Sequence, residues 1–373
     1  MWLSIFVSTF VALILGFIYL VSRFYKYDIT KNISNAISTD NKKLRIVVSW
    51  FFVVIILAIL WLTMGVMNMI VCIIHLVLFW VIFDIAFYIA KKIRKQDFKR
   101  YYAGIVAVVC AVVYLSTGWF QAHHVWETDY TIETDKEIGN LRVVQFADSH
   151  IGATFNGKDL EDYTAEIQEL NPDVVLITGD FVDDDTSKED MIDACKALGT
   201  LKTKYGVYFS FGNHDKGYYG DEYRGYGTND LITELEKNNV TVLQDENVLI
   251  DNRFYIIGRN DVSELMRNGS RLEMSELTKG LDTSKYMIVM DHQPNDYENE
   301  KNANIDLVLS GHTHGGQFFP VNRMGEWLGA NDKTYGYEKR DNTNFIVTSG
   351  IADWAIKFKT GCISEYVVID IKG

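Results

Sequence analysis

Five short apolar runs in the second half of this chain each end in side chains that can bind a cation or move a proton. Residues 143–147 are followed by Asp148-Ser149-His150, and residues 174–178 by Gly179-Asp180. Residues 208–211 lead into Gly212-Asn213-His214-Asp215, and residues 287–290 into Asp291-His292. Residues 307–310 lead into Gly311-His312-Thr313-His314-Gly315-Gly316-Gln317. Singly each is weak. A D-x-H is often a turn, Gly-Asp after a strand is usually a helix entry, and a lone His292 is more often a core histidine. Together they make a set of carboxylate, carboxamide and imidazole ligands with few thiols, which suits Mn, Fe or Zn better than Ca or Mg. Only a carboxylate has two oxygens to share between two ions, and an imidazole titrating near neutrality suits proton delivery.

Side chains this far apart in sequence need a rigid frame. From residue 141 onward, apolar runs alternate with amphipathic stretches. The spacing predicts helices over 160–170 (stopped by Asn171-Pro172), 188–201 and 230–238. Strands are predicted over 141–147, 173–178, 205–211, 240–243, 254–258, 286–290, 305–309, 345–348 and 366–371. This is the pattern of an α/β domain in which helices cover stacked sheets. The C-terminal ends of such strands gather along one edge, where ligands bind.

The first third of the chain is different. Residues 1–120 carry four acidic side chains against twelve Lys and Arg, whereas residues 121–373 carry 45 against 24. Long uncharged runs predict four transmembrane helices, at about 2–22, 44–64, 68–90 and 101–122, with a tight turn near residues 65–68 between the second and third. The basic residues lie between the first and second spans and between the third and fourth. Basic loops stay in the cytoplasm. The chain is therefore expected to be a multi-pass membrane protein with residues 123–140 as a stalk and 141–373 as an extracytoplasmic domain. Asp84 is the one acid inside a span, within reach of Lys91. An acidic soluble domain argues against a nucleic-acid partner, because phosphate backbones need a basic footprint. Cys195 and Cys362 read as buried free thiols, although the sequence leaves their pairing open.

The order D-x-H, G-D, G-N-H-D, H, G-H-x-H over residues 140–371 resembles the calcineurin-like metallophosphoesterase family. The G-H-T-H-G-G-Q block is similar to a membrane-associated bacterial branch that includes UDP-2,3-diacylglucosamine hydrolase-like phosphoesterases. The resemblance implies an αββα sandwich and two divalent metal ions. It places Asp148, His150 and His314 on one ion and Asn213, His292 and His312 on the other, with Asp180 bridging. It also implies in-line attack on a phosphomono- or phosphodiester by a metal-bridging hydroxide. His214 would protonate the leaving group, and Asp215 would fix the His214 tautomer.

Arg259 is a candidate phosphate contact, and Gly315 and Gly316 would let backbone approach the substrate. The family's Pro-Pro-Arg-like stretch is missing at 352–359, where Lys357 or Lys359 would stand in for its charge. Tyrosines at 218, 219, 223 and 226 suggest a substrate-facing loop. The membrane anchor favours a lipid-linked or envelope-derived phosphoester and makes the bilayer itself a partner. The alternative from another class is a membrane-tethered sensor with a non-catalytic metal site.

Overall fold

The computed structural model describes the backbone of residues 2–373 and the side chains of residues 10, 11 and 13–373. The chain divides into two units, Met1–Gly118 and Trp119–Gly373.

In the second unit, strands buried on both faces at the centre and half-exposed strands at the edges form two six-stranded sheets. The first holds β1 (Val125–Glu133), β2 (Leu141–Phe146), β3 (Val174–Thr178), β4 (Val207–Ser210), β5 (Val240–Val242) and β12 (Ser364–Lys372), in the order β1-β12-β2-β3-β4-β5. The second holds β6 (Glu246–Ile250), β7 (Phe254–Gly258), β8 (Tyr286–Met290), β9 (Leu307–Ser310), β10 (Gly336–Arg340) and β11 (Thr343–Val347), in the order β10-β11-β9-β8-β7-β6. β2 through β5 run parallel, as do β7, β8, β9 and β11.

Alternate residues of one strand serve different layers. Val143, Leu176, Ile256, Ile288, Leu309 and Ile369 fill the space between the sheets. Val144 and Val175 instead meet Leu160 and Ile167 of helix Leu160–Glu169 and Ala194 and Leu198 of helix Lys188–Leu198. On the far side, Ile257 and Val289 pack under Met274, Leu277 and Tyr297. The order helix, sheet, sheet, helix is the expected sandwich.

The segment expected as a stalk, 123–140, instead contains β1, which pairs in parallel with the whole of β12. As an edge strand it alternates polar and apolar residues, and that pattern hid it. β6 and β10 were also missed. Both lie at a sheet edge; β10 has no apolar run, and that of β6 is only three residues long.

Two helices among the described residues are long and apolar enough to cross a membrane: Lys42–Arg94, in the first unit, and Tyr102–His123, which begins in the first unit and ends in the second. The described apolar part of the first helix, Leu13–Phe24, is shorter than a span. Among the described residues, two helices therefore meet the length and composition of a span where four spans were expected. The expected spans 44–64 and 68–90 share one helical run, interrupted at Gly65, whose φ of 77° and ψ of 170° are not helical. The Phe24 ring lies 6.3 Å from Phe52 and 5.7 Å from Trp80. A straight helix would separate those two partners by about 40 Å, so the run folds back at Gly65. Asp84 is held by Arg23 at 2.8 Å and accepts hydrogen bonds from the hydroxyls of Tyr19 and Tyr101. Lys91, its expected neighbour, pairs with Asp97.

Ile132 is the one β1 side chain fully inside the core, 4 % exposed. Ile132→Ala is expected to cost about 2–5 kcal/mol, measured by denaturant unfolding of the detergent-solubilised chain. An unchanged midpoint would mean that β1 does not belong to the sandwich.

Candidate metal centre

The five predicted strand ends meet at the C-terminal ends of β2, β3, β4, β8 and β9. Two clusters of ligand atoms form there, each with its members within 4.8 Å of one another: Asp148, His150 and His314; and Asp180, His292 and His312. Asp180 Oδ2 lies between them, 3.0 Å from His292 Nε2 and 3.7 Å from His150 Nε2. Asp148 Oδ1 is 4.0 Å from His292 Nε2 and 3.8 Å from His314 Nε2. Every one of these groups except His312 is buried.

The backbone aims the carboxylates. The His214 N–H donates to Asp180 Oδ1 at 2.8 Å, which leaves Oδ2 for the two histidines. The His312 N–H donates to both oxygens of Asp148, at 3.0 and 2.9 Å. Such close crossings need tight turns. Asp148, His150, Asp180, His312 and His314 all have positive φ, between 35° and 70°. Asp and His tolerate this left-handed region better than most residues but still hold it under strain. Gly179 and Gly311 make room: a Cβ on Gly179 would lie 2.7 Å from His292 Nδ1, and one on Gly311 2.5 Å from Asp148 Oδ2.

The imidazoles are turned with one nitrogen outward and one inward. His292 Nδ1 is 2.8 Å from the Thr178 carbonyl, and His314 Nδ1 is 3.3 Å from both the Ala352 carbonyl and Asp353. His150 Nδ1 is 3.3 Å from Asp183. A proton on Nδ1 leaves the Nε2 lone pair for a metal. Buried polar atoms without a hydrogen-bond partner include both ring nitrogens of His150, although Asp183 lies 3.3 Å from its Nδ1, together with His292 Nε2 and Asn213 Oδ1. Such atoms are costly unless something positive meets them. A pair of divalent cations fits this donor set.

The electrostatics say the same. Burial alone would lower the pKa of His292, yet Asp180 and Asp148 hold it well above the ordinary value. His150 is likewise raised against burial by Asp183 and Asp180. Asp180 is held well below the usual carboxylate range by His292 and His150, although desolvation opposes this. The carboxylates draw positive charge into a sealed site, and cations can replace those protons. Burial and the neighbouring His292 push His312 down to about 4.

His214 stands beside the cluster, its ring 5.0 Å from His150, 5.2 Å from Tyr218 and 5.9 Å from the half-exposed Trp354. Burial lowers its pKa. Tyr218 accepts a hydrogen bond from Asn213 Nδ2 at 3.0 Å, and Arg267 lies over its ring. Tyr219 and Tyr223 are exposed, whereas Tyr226 is core.

Several sequence expectations change. Asp215 does not orient His214. Its Oδ2 accepts the N–H groups of Asp180 and Gly212, and its Oδ1 those of Phe181 and Val182. It staples two loops together. Arg259 is not open to a phosphate. It is 2 % exposed and bonds Asp291, Asp296 and the Leu272 carbonyl. Gly315 and Gly316 yield space to the protein, not to a substrate: added Cβ atoms would strike Cys362, Ser349 and the Asn322 backbone. Lys359 is fully buried on backbone carbonyls and cannot stand in for a surface arginine. The supporting acids Asp183 and Asp353 were not singled out. Asp183 opens a run of three aspartates that reads as a solvated turn, and Asp353 carries no motif. Cys195 and Cys362 are buried free thiols.

Asp215→Asn would leave two buried N–H groups facing an amide NH2, at about 1–3 kcal/mol each. The expected outcome is a lower unfolding midpoint together with reduced metal content by elemental analysis. Full metal content with only slowed turnover would instead return Asp215 to its expected role beside His214.

Residues 141–316 match the family model described as calcineurin-like phosphoesterase. An uncharacterised metallophosphoesterase of Aquifex aeolicus is 34 % identical over 196 residues, covering 52 % of this chain and 70 % of that protein. An uncharacterised metallophosphoesterase of Campylobacter jejuni is 30 % identical over 248 residues, covering 64 % and 62 %. A zebrafish protein named transmembrane protein with metallophosphoesterase domain is 28 % identical over 285 residues, covering 74 % and 63 %. The chain thus spans somewhat less than two thirds of the length of the Campylobacter and zebrafish relatives. With the ligand clusters seated where the matched segment runs, the chain belongs to the calcineurin-like metallophosphoesterase family, whose members use two divalent metals.

Proposed function

We propose that this chain is a membrane-anchored, dinuclear-metal phosphoesterase that hydrolyses phosphomono- or phosphodiesters outside the cytoplasm. The observation that carries this reading is the approach of two ligand clusters to one shared carboxylate, Asp180. Asp148, His150 and His314 would hold one cation, and Asn213, His292 and His312 the other, with Asp180 placed to serve both. When bound, the two cations supply Lewis acidity toward a phosphoryl oxygen and bring the pKa of coordinated water toward neutrality.

The chain's own groups do the rest. Asp183, Thr178 and Asp353 fix the imidazole orientations, so little reorganisation accompanies the reaction. Asn213 offers a neutral oxygen, which leaves its cation the more electrophilic. His214, on the rim between Tyr218 and Trp354, holds the proton for the leaving oxygen.

Membrane anchoring rests on the apolar helices Lys42–Arg94 and Tyr102–His123, with Leu13–Phe24 beside them. The basic residues at 23–45 and 91–100 set the orientation by the positive-inside rule. A lipid-linked substrate is supported by exposed apolar side chains beside His214 and along the segment that follows the His314 turn. Trp354 lies beside His214, and Phe319, Met324, Trp327 and Leu328 follow the His314 turn within fourteen residues. Patches of this kind mark interaction surfaces.

Chelation should abolish hydrolysis of a chromogenic phosphodiester, and Mn should restore it. Asp180→Asn should remove both activity and bound metal. His214→Ala should keep the metal and slow turnover by about 10²–10⁴-fold on substrates with poor leaving groups. Metal loss in His214→Ala would reject its role as proton donor, and metal-replete chain inert toward every phosphoester tested would reject the hydrolase reading.

A further inference from the structure

Among the described residues, Lys359 is the one lysine with no exposed surface. A buried ammonium is tolerated only where its protons are bonded and its charge is met. Lys359 Nζ donates to the carbonyls of Ser349 at 2.8 Å, Ala352 at 3.2 Å and Gly350 at 3.3 Å, and to Ser364 Oγ at 3.0 Å. Asp353 Oδ1, 3.5 Å away, answers the charge.

Asp353 is itself fully buried. The same Oδ1 accepts from Gln317 Nε2 at 3.0 Å and lies 3.3 Å from His314 Nδ1. On the other side, the Ser364 hydroxyl that accepts from Lys359 donates to the Ala122 carbonyl at 2.9 Å. Ala122 is in the last turn of helix Tyr102–His123, where carbonyls have no partner within the helix. A continuous line of contacts therefore runs Ala122, Ser364, Lys359, Asp353, His314, all within the second unit.

We infer that Lys359 is a positioning residue: through Asp353 it sets the cation affinity of the cluster Asp148, His150 and His314. Its ammonium compensates the buried Asp353 carboxylate and fixes the 349–353 turn from which both Asp353 and the Ala352 carbonyl face His314 Nδ1. An anionic partner on Nδ1 makes Nε2 a better ligand, and losing such a partner weakens metal binding by about 10–100-fold. His292 leans on the Thr178 carbonyl instead, so the other cluster does not depend on Lys359. The inference rests on the two-cation reading above.

The test is Mn titration of the full chain in nanodiscs, followed by electron paramagnetic resonance. Unaltered protein should take up two ions and give the signal of an exchange-coupled pair. Lys359→Met and Asp353→Asn should each bind one ion with unaltered affinity and the second at least tenfold more weakly, giving the six-line signal of an isolated ion. Combining them should weaken the second site no further than either alone, because they act in one line. Adding Lys359→Met to His292→Ala should leave no tight site. Unaltered two-site binding in either single variant, or equal loss at both sites, would overturn the inference. If Lys359→Met does not fold, Asp353→Asn alone decides by the same criteria. Unaltered protein that binds fewer than two ions would sink the two-cation reading itself.

Discussion

Asp215 accepts four backbone N–H groups, from Asp180, Phe181, Val182 and Gly212, and so fuses the loops after β3 and β4 into one body. Nearly everything at the metal centre depends on that junction. It fixes Asp180, whose Oδ1 is then taken by the His214 N–H and whose Oδ2 is turned toward His292 and His150. It also fixes Gly212, across which Asn213 and His214 enter the site. A buried carboxylate with all its acceptor positions in use is rigid, and a rigid shared ligand can hold two ions at a set spacing. The second anchor is Asp148, gripped by the His312 N–H of the opposite sheet. The two sheets are tied together at the place where chemistry is wanted.

The interior of this fold was legible because its strands are buried on both faces and therefore read as unbroken apolar runs. β7 and β8 fall on the predicted residues without shift. Of the four edge strands only β5 was legible; β1, β6 and β10 were not. Val125–Glu133 interleaves Glu, Asp and Thr with apolar residues, as a strand with one wet face must, and such a pattern reads as a stalk. The members of the two clusters were legible because their residue types are rare together and each falls where an apolar run stops. Roles that depend on which way a side chain points were not. Arg259 follows a strand as a phosphate contact would, but it turns inward to Asp291 and Asp296. Asp215 sits next to His214 in sequence and points away from it in function. Lys359 looked like a surface charge and is sealed. Spacing gives adjacency along the chain. Burial, which decides whether a charge meets solvent or backbone, comes from neighbouring loops and strands that spacing alone does not place.

The apolar first unit follows similar logic. Its long run breaks where Gly65 leaves helical geometry. Inside it, Asp84 is satisfied by one guanidinium and two phenols and not by the nearest lysine in sequence. A carboxylate with that many partners is accounted for as an internal fastener.

The left-handed turns at Asp148, His150, Asp180, His312 and His314 have an evolutionary corollary. Glycine at any of them would relax the main chain while deleting a ligand. Selection for robustness alone would therefore drift toward a sturdier, inert protein. Main-chain comfort alone would not place two aspartates and three histidines at five such positions around one centre; holding ligands there is what makes the strain worth keeping.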